Sequence, residues 1–195
     1  MSFKDIVGNE QIKKILKLSL RENRLPGSLL FAGPPGVGKT ATALTVAKAL
    51  NCQQLKDEAC DRCHSCRLVD RGQHPNVRFI TREKNREQIV KDQVDEIKYL
   101  ARLRPWQGGR LVFIIDQAER MNETAANSLL KTLEEPGASV YFILITEDLS
   151  AILPTIRSRC QVLKFKRISQ EDLERALESR GLPPDRAALV ASTTD

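Results

Sequence analysis

The chain has 195 residues, of which 41% are hydrophobic and 29% charged, and its formal net charge is +6. This composition is typical of a globular protein with one medium domain and a small appendage. No apolar run approaches the roughly 18 residues of a membrane span, and the N-terminus has no signal-peptide pattern. We therefore expect a cytoplasmic protein, without membrane contact, whose cysteines are reduced. The positive charge permits a nucleic-acid partner without indicating one.

The first predicted element is an amphipathic helix that begins after Asn9, a residue suited to an N-cap. Apolar residues recur there at helical spacing. The predicted buried face consists of Ile12, Ile15, Leu16, Ser19 and Leu20.

Residues 33–40 read GPPGVGKT and fit the phosphate-binding loop pattern G-x-x-x-x-G-K-[ST]. A short apolar strand is predicted before the loop, over 28–32, and a helix after it, over 41–50. Glycines allow backbone N–H groups to face inward at a helix N-terminus and bind an anion. Lys39 can then reach the β- and γ-phosphates, and the Thr40 hydroxyl can bind Mg²⁺. The predicted nucleotide-binding residues are Gly33, Pro34, Pro35, Gly36, Val37, Gly38, Lys39 and Thr40.

Four cysteines follow within residues 51–75 at the spacing C-x7-C-x2-C-x2-C. In a reducing compartment, four thiolates at such spacing predict a structural Zn²⁺ site without an open coordination position. Two alternatives remain: an iron–sulfur cluster and haem attachment through the C-x-x-C-H pattern. We expect His64 and His74 to be surface or loop residues rather than ligands, and Cys160 to be a small buried residue. The predicted zinc ligands are Cys52, Cys60, Cys63 and Cys66.

Further along the chain, apolar runs and helical patterns alternate. Such alternation predicts a parallel α/β sheet. Asn122 is the expected cap of one helix, and Pro154 is expected to break another. The predicted strands cover 76–80, 111–115, 140–145 and 161–165, and the predicted helices cover 88–104, 123–135, 149–158, 170–179 and a segment from 184.

The strand over 111–115 ends at Asp116, which resembles the Walker B position of a nucleotide-binding protein. Asp116 would hold Mg²⁺ directly or through water. The next residue, Gln117, carries a carboxamide and cannot act as a general base. We expect Glu119 to point away from the site. These residues predict intact nucleotide binding and impaired hydrolysis.

Four segments together resemble the bacterial clamp-loader AAA+ ATPases of the DNA polymerase III holoenzyme. They are the phosphate loop, the cysteine cluster, AANSLLKTLEEP over 125–136, and IRSRC over 156–160. The resemblance implies an AAA+ nucleotide-binding domain over 1–167 with a zinc-binding insertion. A helical lid, truncated at the chain end, is expected over 168–195, and the collar domain of the family is expected to be absent.

The resemblance also implies roles for single residues. Arg159 matches the arginine finger that the family inserts into a neighbouring subunit's ATP site; the alternative is an arginine that caps a helix C-terminus. Thr146 matches the sensor 1 position. Val7 and Gly8 match the segment that borders the adenine.

Within the family, gamma/tau-type motor subunits have Asp-Glu at the Walker B position, whereas Asp116-Gln117 is more similar to delta-prime. Delta-prime subunits commonly have a degraded phosphate loop, but this loop is complete. We expect a delta-prime-like subunit that binds ATP and Mg²⁺ with little or no hydrolysis. Its expected partners are gamma/tau and delta subunits and, through the complex, the sliding clamp and primed DNA. The alternatives are an active gamma/tau-type ATPase and a zinc-stabilised DNA-binding protein with a vestigial nucleotide site.

Overall fold

A computed structural model describes residues 1–83, 86–179 and 181–192. In this part of the chain, five parallel strands form a sheet in the order β2-β3-β4-β1-β5. The prediction of a parallel α/β sheet is confirmed. The strands are β1 (Ser28–Ala32), β2 (Val77–Ile80), β3 (Leu111–Ile115), β4 (Val140–Thr146) and β5 (Gln161–Lys164).

Helices cover both faces of the sheet. Leu29 and Phe31 of β1 pack on one face with residues of α1, α2 and α3, whereas Leu30 packs on the other with residues of α4, α5 and α6. Because successive side chains of a strand point to opposite faces, a strand covered on both sides is apolar throughout. The helices are α1 (Glu10–Arg21), α2 (Lys39–Asn51), α3 (His64–Asp70), α4 (Lys91–Leu100), α5 (Glu123–Glu134), α6 (Pro154–Arg157), α7 (Gln170–Ser179) and α8 (Pro184–Ser192).

The start of α1 differs from the prediction. Asn9 has a left-handed backbone (φ 52°) and its side chain does not cap the helix. Instead, its amide exchanges two hydrogen bonds with the backbone of Lys166, at 3.2 and 2.8 Å. Ile15 is 51% exposed, whereas Lys13 is buried because its ammonium donates to the Ile6 carbonyl at 2.6 Å. Ile12, Leu16 and Leu20 of the predicted face are buried, so the face is confirmed except at Ile15.

Other helix ends match or differ for local reasons. The Asn122 side chain accepts a hydrogen bond from the Ala125 N–H at 2.8 Å, so the predicted cap of α5 is confirmed. The predicted helix over 88–104 is shorter, since Ile89 pairs with Met121 outside the helix. The predicted interruption near Pro154 is confirmed: a 3-10 turn over Leu149–Ala151 ends before it, and Pro154 begins α6, where its missing N–H costs nothing.

The last two helices, α7 and α8, follow β5. At the start of α7, the Ser169 hydroxyl accepts a hydrogen bond from the Asp172 N–H at 3.1 Å. In α8, Ala187 and Ala191 are buried, while Leu189 is 66% exposed. The division into a domain over 1–167 and a lid over 168–195 stays a prediction. None of the helices in the described ranges is long and apolar enough to cross a membrane.

Candidate functional site

The phosphate loop connects the end of β1 to the start of α2. Gly36 and Gly38 have φ values of 77° and 88°, in the left-handed region that favours glycine. A Cβ atom on Gly33 would lie 2.4 Å from the carbonyl oxygen of Phe165, so no larger residue fits there without a backbone shift. The loop is therefore shaped by glycine and placed at a helix N-terminus, where backbone N–H groups favour an anion.

Lys39 is folded back on the loop that carries it. Its ammonium donates to the carbonyls of Gly33 and Pro34 at 2.6 and 2.5 Å. Burial lowers the pKa of Lys39 below its usual value, and the carboxylates of Glu147 and Asp116 oppose that shift. A phosphate bound to the loop would compete with these two carbonyls for the ammonium.

A cavity of about 310 Å³ opens beside the loop. It brings Lys39 and Thr40 together with Asp116 at the end of β3. Burial raises the pKa of Asp116, while the Gln117 N–H, which donates to its carboxylate at 3.1 Å, acts in the opposite direction. The hydroxyl and the carboxylate that were predicted to hold Mg²⁺ thus face the same space, and oxygen ligands are what this ion prefers.

Glu119 lies in this cavity, which corrects the expectation that it points away. Gln117 has a left-handed backbone (φ 53°) and precedes a 3-10 turn over Ala118–Arg120. The turn carries Glu119 back towards the strand end, and one of its carboxylate oxygens is buried without a hydrogen-bond partner in the described residues. Spacing offered no reliable signal, because Asp116 follows the strand directly and the left-handed Gln117 separates it from the turn that carries Glu119. Sequence reasoning also missed Glu147, which lines the same cavity.

Thr146 lies at the end of β4, opposite Ala32 in the register of the sheet. It is 1% exposed and lines the phosphate cavity. Its hydroxyl donates to the Asp148 carbonyl at 2.9 Å and accepts from the Asp148 N–H at 3.2 Å. Thr146 therefore lines the same cavity as the phosphate loop, and its sensor role stays a prediction.

Val7 and Gly8 line a different cavity, next to Asp172 of α7. A Cβ atom on Gly8 would lie 3.3 Å from Ile168, a residue that lines another cavity of about 330 Å³ between the phosphate loop and the last helices. The predicted contact of Val7 and Gly8 with adenine stays a prediction.

Arg159 follows α6 and lines a surface cavity that includes Glu134 and Ser158. Its Nε donates to the Glu134 carboxylate at 2.9 Å, and its Nη1 donates to the Thr155 carbonyl at 3.1 Å. The second contact is with a helix carbonyl, as the capping alternative requires. The position on the surface is also what a finger directed at another subunit requires. Cys160, the next residue, is buried as predicted, and burial raises the pKa of its thiol to about 12.

The four predicted zinc ligands converge, and their sulfurs lie within 4.8 Å of one another. Sulfurs about 2.3 Å from a tetrahedral Zn²⁺ would be separated by about 3.8 Å, so a small contraction completes the site. The sulfurs of Cys52, Cys60 and Cys63 each accept a backbone hydrogen bond at 3.3–3.4 Å. Burial would raise the pKa of Cys60, but backbone N–H groups lower it to about 6. This donor set fits a structural zinc ion.

The two histidines near the cluster are not part of this sulfur group. His64 is exposed. His74 is a loop residue, as expected, but it is buried there: its Nδ1 accepts from the Asn76 N–H at 3.1 Å, and its Nε2 lies 2.9 Å from the Ser65 hydroxyl. Both ring nitrogens of His74 are therefore engaged in the fold.

A buried lysine joins the cysteine segment to the helix that follows the phosphate loop. Lys48 of α2 is 1% exposed, and its ammonium bonds to the carboxylates of Asp61 and Asp70. Burial would lower the pKa of Lys48, but these hydrogen bonds raise it above its usual value. The hydrophobic pattern of the sequence did not predict this contact, because such a pattern does not place a charged residue on the buried face of a helix.

Comparison with known proteins gives consistent matches. The model of a family described as "DNA polymerase III, delta subunit" matches residues 8–169. The chain is 33% identical over 185 residues to DNA polymerase III subunit delta' of Bacillus subtilis, covering 95% of this chain and 56% of that protein. It is 38% identical over 200 residues to DNA polymerase III subunit tau of the same organism, covering 99% of this chain and 35% of that protein.

A solved structure supports the same relationship. The crystal structure of a DNA polymerase III gamma subunit-related protein from Thermotoga maritima superposes with a TM-score of 0.61 at 25% identity, covering 93% of this chain and 56% of that one. The chain thus spans about half the length of the delta' relative, and less of the tau relative.

Proposed function

Because this chain belongs to the DNA polymerase III delta-subunit family, we propose that it is a delta-prime-like subunit of a clamp loader in DNA replication. In this proposal it binds ATP with Mg²⁺, hydrolyses it slowly or not at all, and supplies Arg159 to a neighbouring ATPase subunit. Its partners are gamma/tau and delta subunits. The sliding clamp and primed DNA are engaged through the assembled complex.

The proposal depends on one observation: the residues that bind phosphate and Mg²⁺ are all present, whereas the glutamate expected after Asp116 is replaced by Gln117. Lys39, Thr40 and Asp116 face one cavity, which supports binding of a nucleoside triphosphate and its Mg²⁺. Gln117 follows Asp116 where a hydrolysing relative has a glutamate, and a carboxamide cannot accept the proton of the attacking water. Nucleotide is then held rather than turned over.

The position of Arg159 supports action on a neighbour. Its guanidinium lies at the protein surface with Glu134 and Ser158, whereas the chain's own phosphate loop lines another cavity. An arginine delivered from another subunit stabilises the charge that develops on the transferred phosphoryl group, an effect of about 10³–10⁵ in rate in well-studied cases.

We also propose that the four-cysteine cluster holds one Zn²⁺ through Cys52, Cys60, Cys63 and Cys66. Four thiolates fill the coordination sphere, so the ion stabilises the insertion and activates no water.

Glu119 favours a second candidate function, an active gamma/tau-type ATPase. Its buried carboxylate oxygen lacks a hydrogen-bond partner in the described residues, and it lines the phosphate cavity with Asp116. A carboxylate there could position the attacking water in place of the missing Walker B glutamate.

Nucleotide binding and turnover by the purified chain separate the two candidates. A fluorescent ATP analogue should bind with Mg²⁺, and Lys39→Ala should weaken binding at least about 10-fold, since the loop lysine contacts the β- and γ-phosphates. Lys14→Ala, an exposed lysine of α1, is the control. ATP hydrolysis by this chain would establish the gamma/tau-type function instead, if Lys39→Ala abolishes it. The same result should then be found in a complex in which the other ATP sites are disabled.

A further inference from the structure

The side chain of Arg159 is held in one orientation by two acceptors from different helices. The Glu134 carboxylate, at the end of α5, accepts from Nε at 2.9 Å, and the Thr155 carbonyl, in α6, accepts from Nη1 at 3.1 Å. No hydrogen bond to Nη2 is found among the described residues. Two of the five N–H groups of the guanidinium are thus used, and the Nη2 edge is open to another ligand.

Both acceptors are anchored to the core of the protein. Leu133, next to Glu134, is 1% exposed, and Ile156, next to Thr155, is also 1% exposed. The two residues belong to the same apolar cluster under the sheet. The backbone at both acceptors is therefore fixed by the core, and the pairing with these two acceptors sets the direction of the guanidinium.

This ion pair adds little to the stability of the fold. Arg159 is 30% and Glu134 57% exposed in their side chains, and exposed pairs contribute little because water screens them. The pair is therefore better explained by its effect on the orientation of the Arg159 guanidinium than by a contribution to stability.

We propose that Glu134 is a positioning residue for Arg159, and this inference rests on the proposed action of Arg159 on a neighbouring subunit. Glu134 and Thr155 hold the guanidinium extended before the neighbour's phosphate arrives. The remaining Nη2 edge then meets the charge that develops on the phosphoryl oxygens during transfer, without the loss of side-chain freedom that a mobile arginine would suffer at that step. Glu134 touches no nucleotide and acts only through Arg159.

The test measures steady-state ATP hydrolysis in the full complex with an active gamma-type neighbour, while this chain carries the substitution. Glu134→Ala should lower the neighbour's kcat about 2- to 12-fold, the factor that corresponds to ordering one long side chain. The neighbour's KM for ATP should not change, because the nucleotide is held by the neighbour's own loop. Arg159→Ala should lower kcat further.

Two variants separate positioning from other effects. Glu134→Gln keeps an acceptor for Nε and should recover most of the loss; equal losses in the Gln and Ala variants would assign the effect to charge and overturn the proposal. Glu135→Ala removes an exposed carboxylate that forms no ion pair among the described residues. It should behave as wild type, and all variants should have the same melting temperature.

The outcomes distinguish this inference from the proposed function. If Arg159→Ala lowers kcat but Glu134→Ala does not, the finger stands and the positioning role is wrong. A higher kcat in Glu134→Ala would show that Glu134 restrains the arginine, and would also overturn the inference. If Arg159→Ala itself has no effect, the proposed finger fails and the positioning role fails with it.

Discussion

Replacing Lys48 with methionine tests whether the cysteine segment supports the helix that carries the phosphate loop. Lys48 is 1% exposed, and its ammonium bonds to Asp61, which lies between two of the predicted zinc ligands, and to Asp70 of α3 at 3.0 Å. Methionine has a similar length and fills the same space without a charge. The variant therefore removes the ion pairs and leaves the packing nearly unchanged.

The expected loss follows from the exposure of the three groups. Removing one partner of a fully buried ion pair costs about 3–5 kcal/mol, because the other charge is left without compensation. Here Asp61 is 32% and Asp70 46% exposed, so water can replace part of the lost interaction. The loss should be nearer to that of hydrogen bonds to charged groups, about 1.5–3 kcal/mol. For a chain of this size, that corresponds to a melting temperature about 3–12 °C lower.

Urea denaturation followed by circular dichroism measures the change directly. Lys98→Met removes an exposed ion pair with Asp95 and should change the free energy of unfolding by less than about 1 kcal/mol. A chelator that removes zinc should shrink the effect of Lys48→Met, because loss of the metal would loosen the cysteine segment that places Asp61 beside the ammonium. A Lys48→Met protein within about 0.5 kcal/mol of wild type would show that the pairs do not stabilise the fold.

Three further substitutions test other parts of the structure. Gln117→Glu should raise ATP turnover in the assembled complex by at least about 10-fold, since a correctly placed general base contributes about 10²–10⁴; no increase would mean that Glu119 or another group already positions the water. Cys63→Ser should remove zinc, measured by mass spectrometry against one ion per wild-type chain, and should lower the melting temperature; retention of one ion would contradict the four-thiolate site. Asn122→Ala should lower the free energy of unfolding by about 0.5–2 kcal/mol through loss of the α5 cap; an unchanged free energy would contradict a stabilising cap.

Local patterns were sufficient for much of this protein. The strands and the helices after them were predicted because continuous apolar runs and helical spacing are properties of neighbouring residues. The phosphate loop was predictable for the same reason, because its glycines and Lys39 are close in sequence, in one loop and at the start of the helix that follows it. The convergence of the cysteines also followed from their short spacing. The cap of α5 by Asn122 is an interaction three residues along the chain.

Contacts between distant segments were decided by tertiary structure. Asn9 bonds to Lys166, 157 residues away, instead of capping its own helix. Arg159 is oriented by Glu134, 25 residues away, because two helices end near each other under the sheet. Nothing in the spacing of these residues predicts such pairs.

Glu119 shows that both the sequence and the tertiary structure are needed to describe the functional site. The sequence places it three residues after Asp116, and this spacing alone does not decide whether its side chain faces the cavity. The left-handed backbone at Gln117, φ 53°, starts the turn. The sequence alone determined which chemical groups are available to the nucleotide. The packing of the chain after β3 decided which of them face it, because the direction of a side chain depends on backbone angles that the rest of the fold imposes.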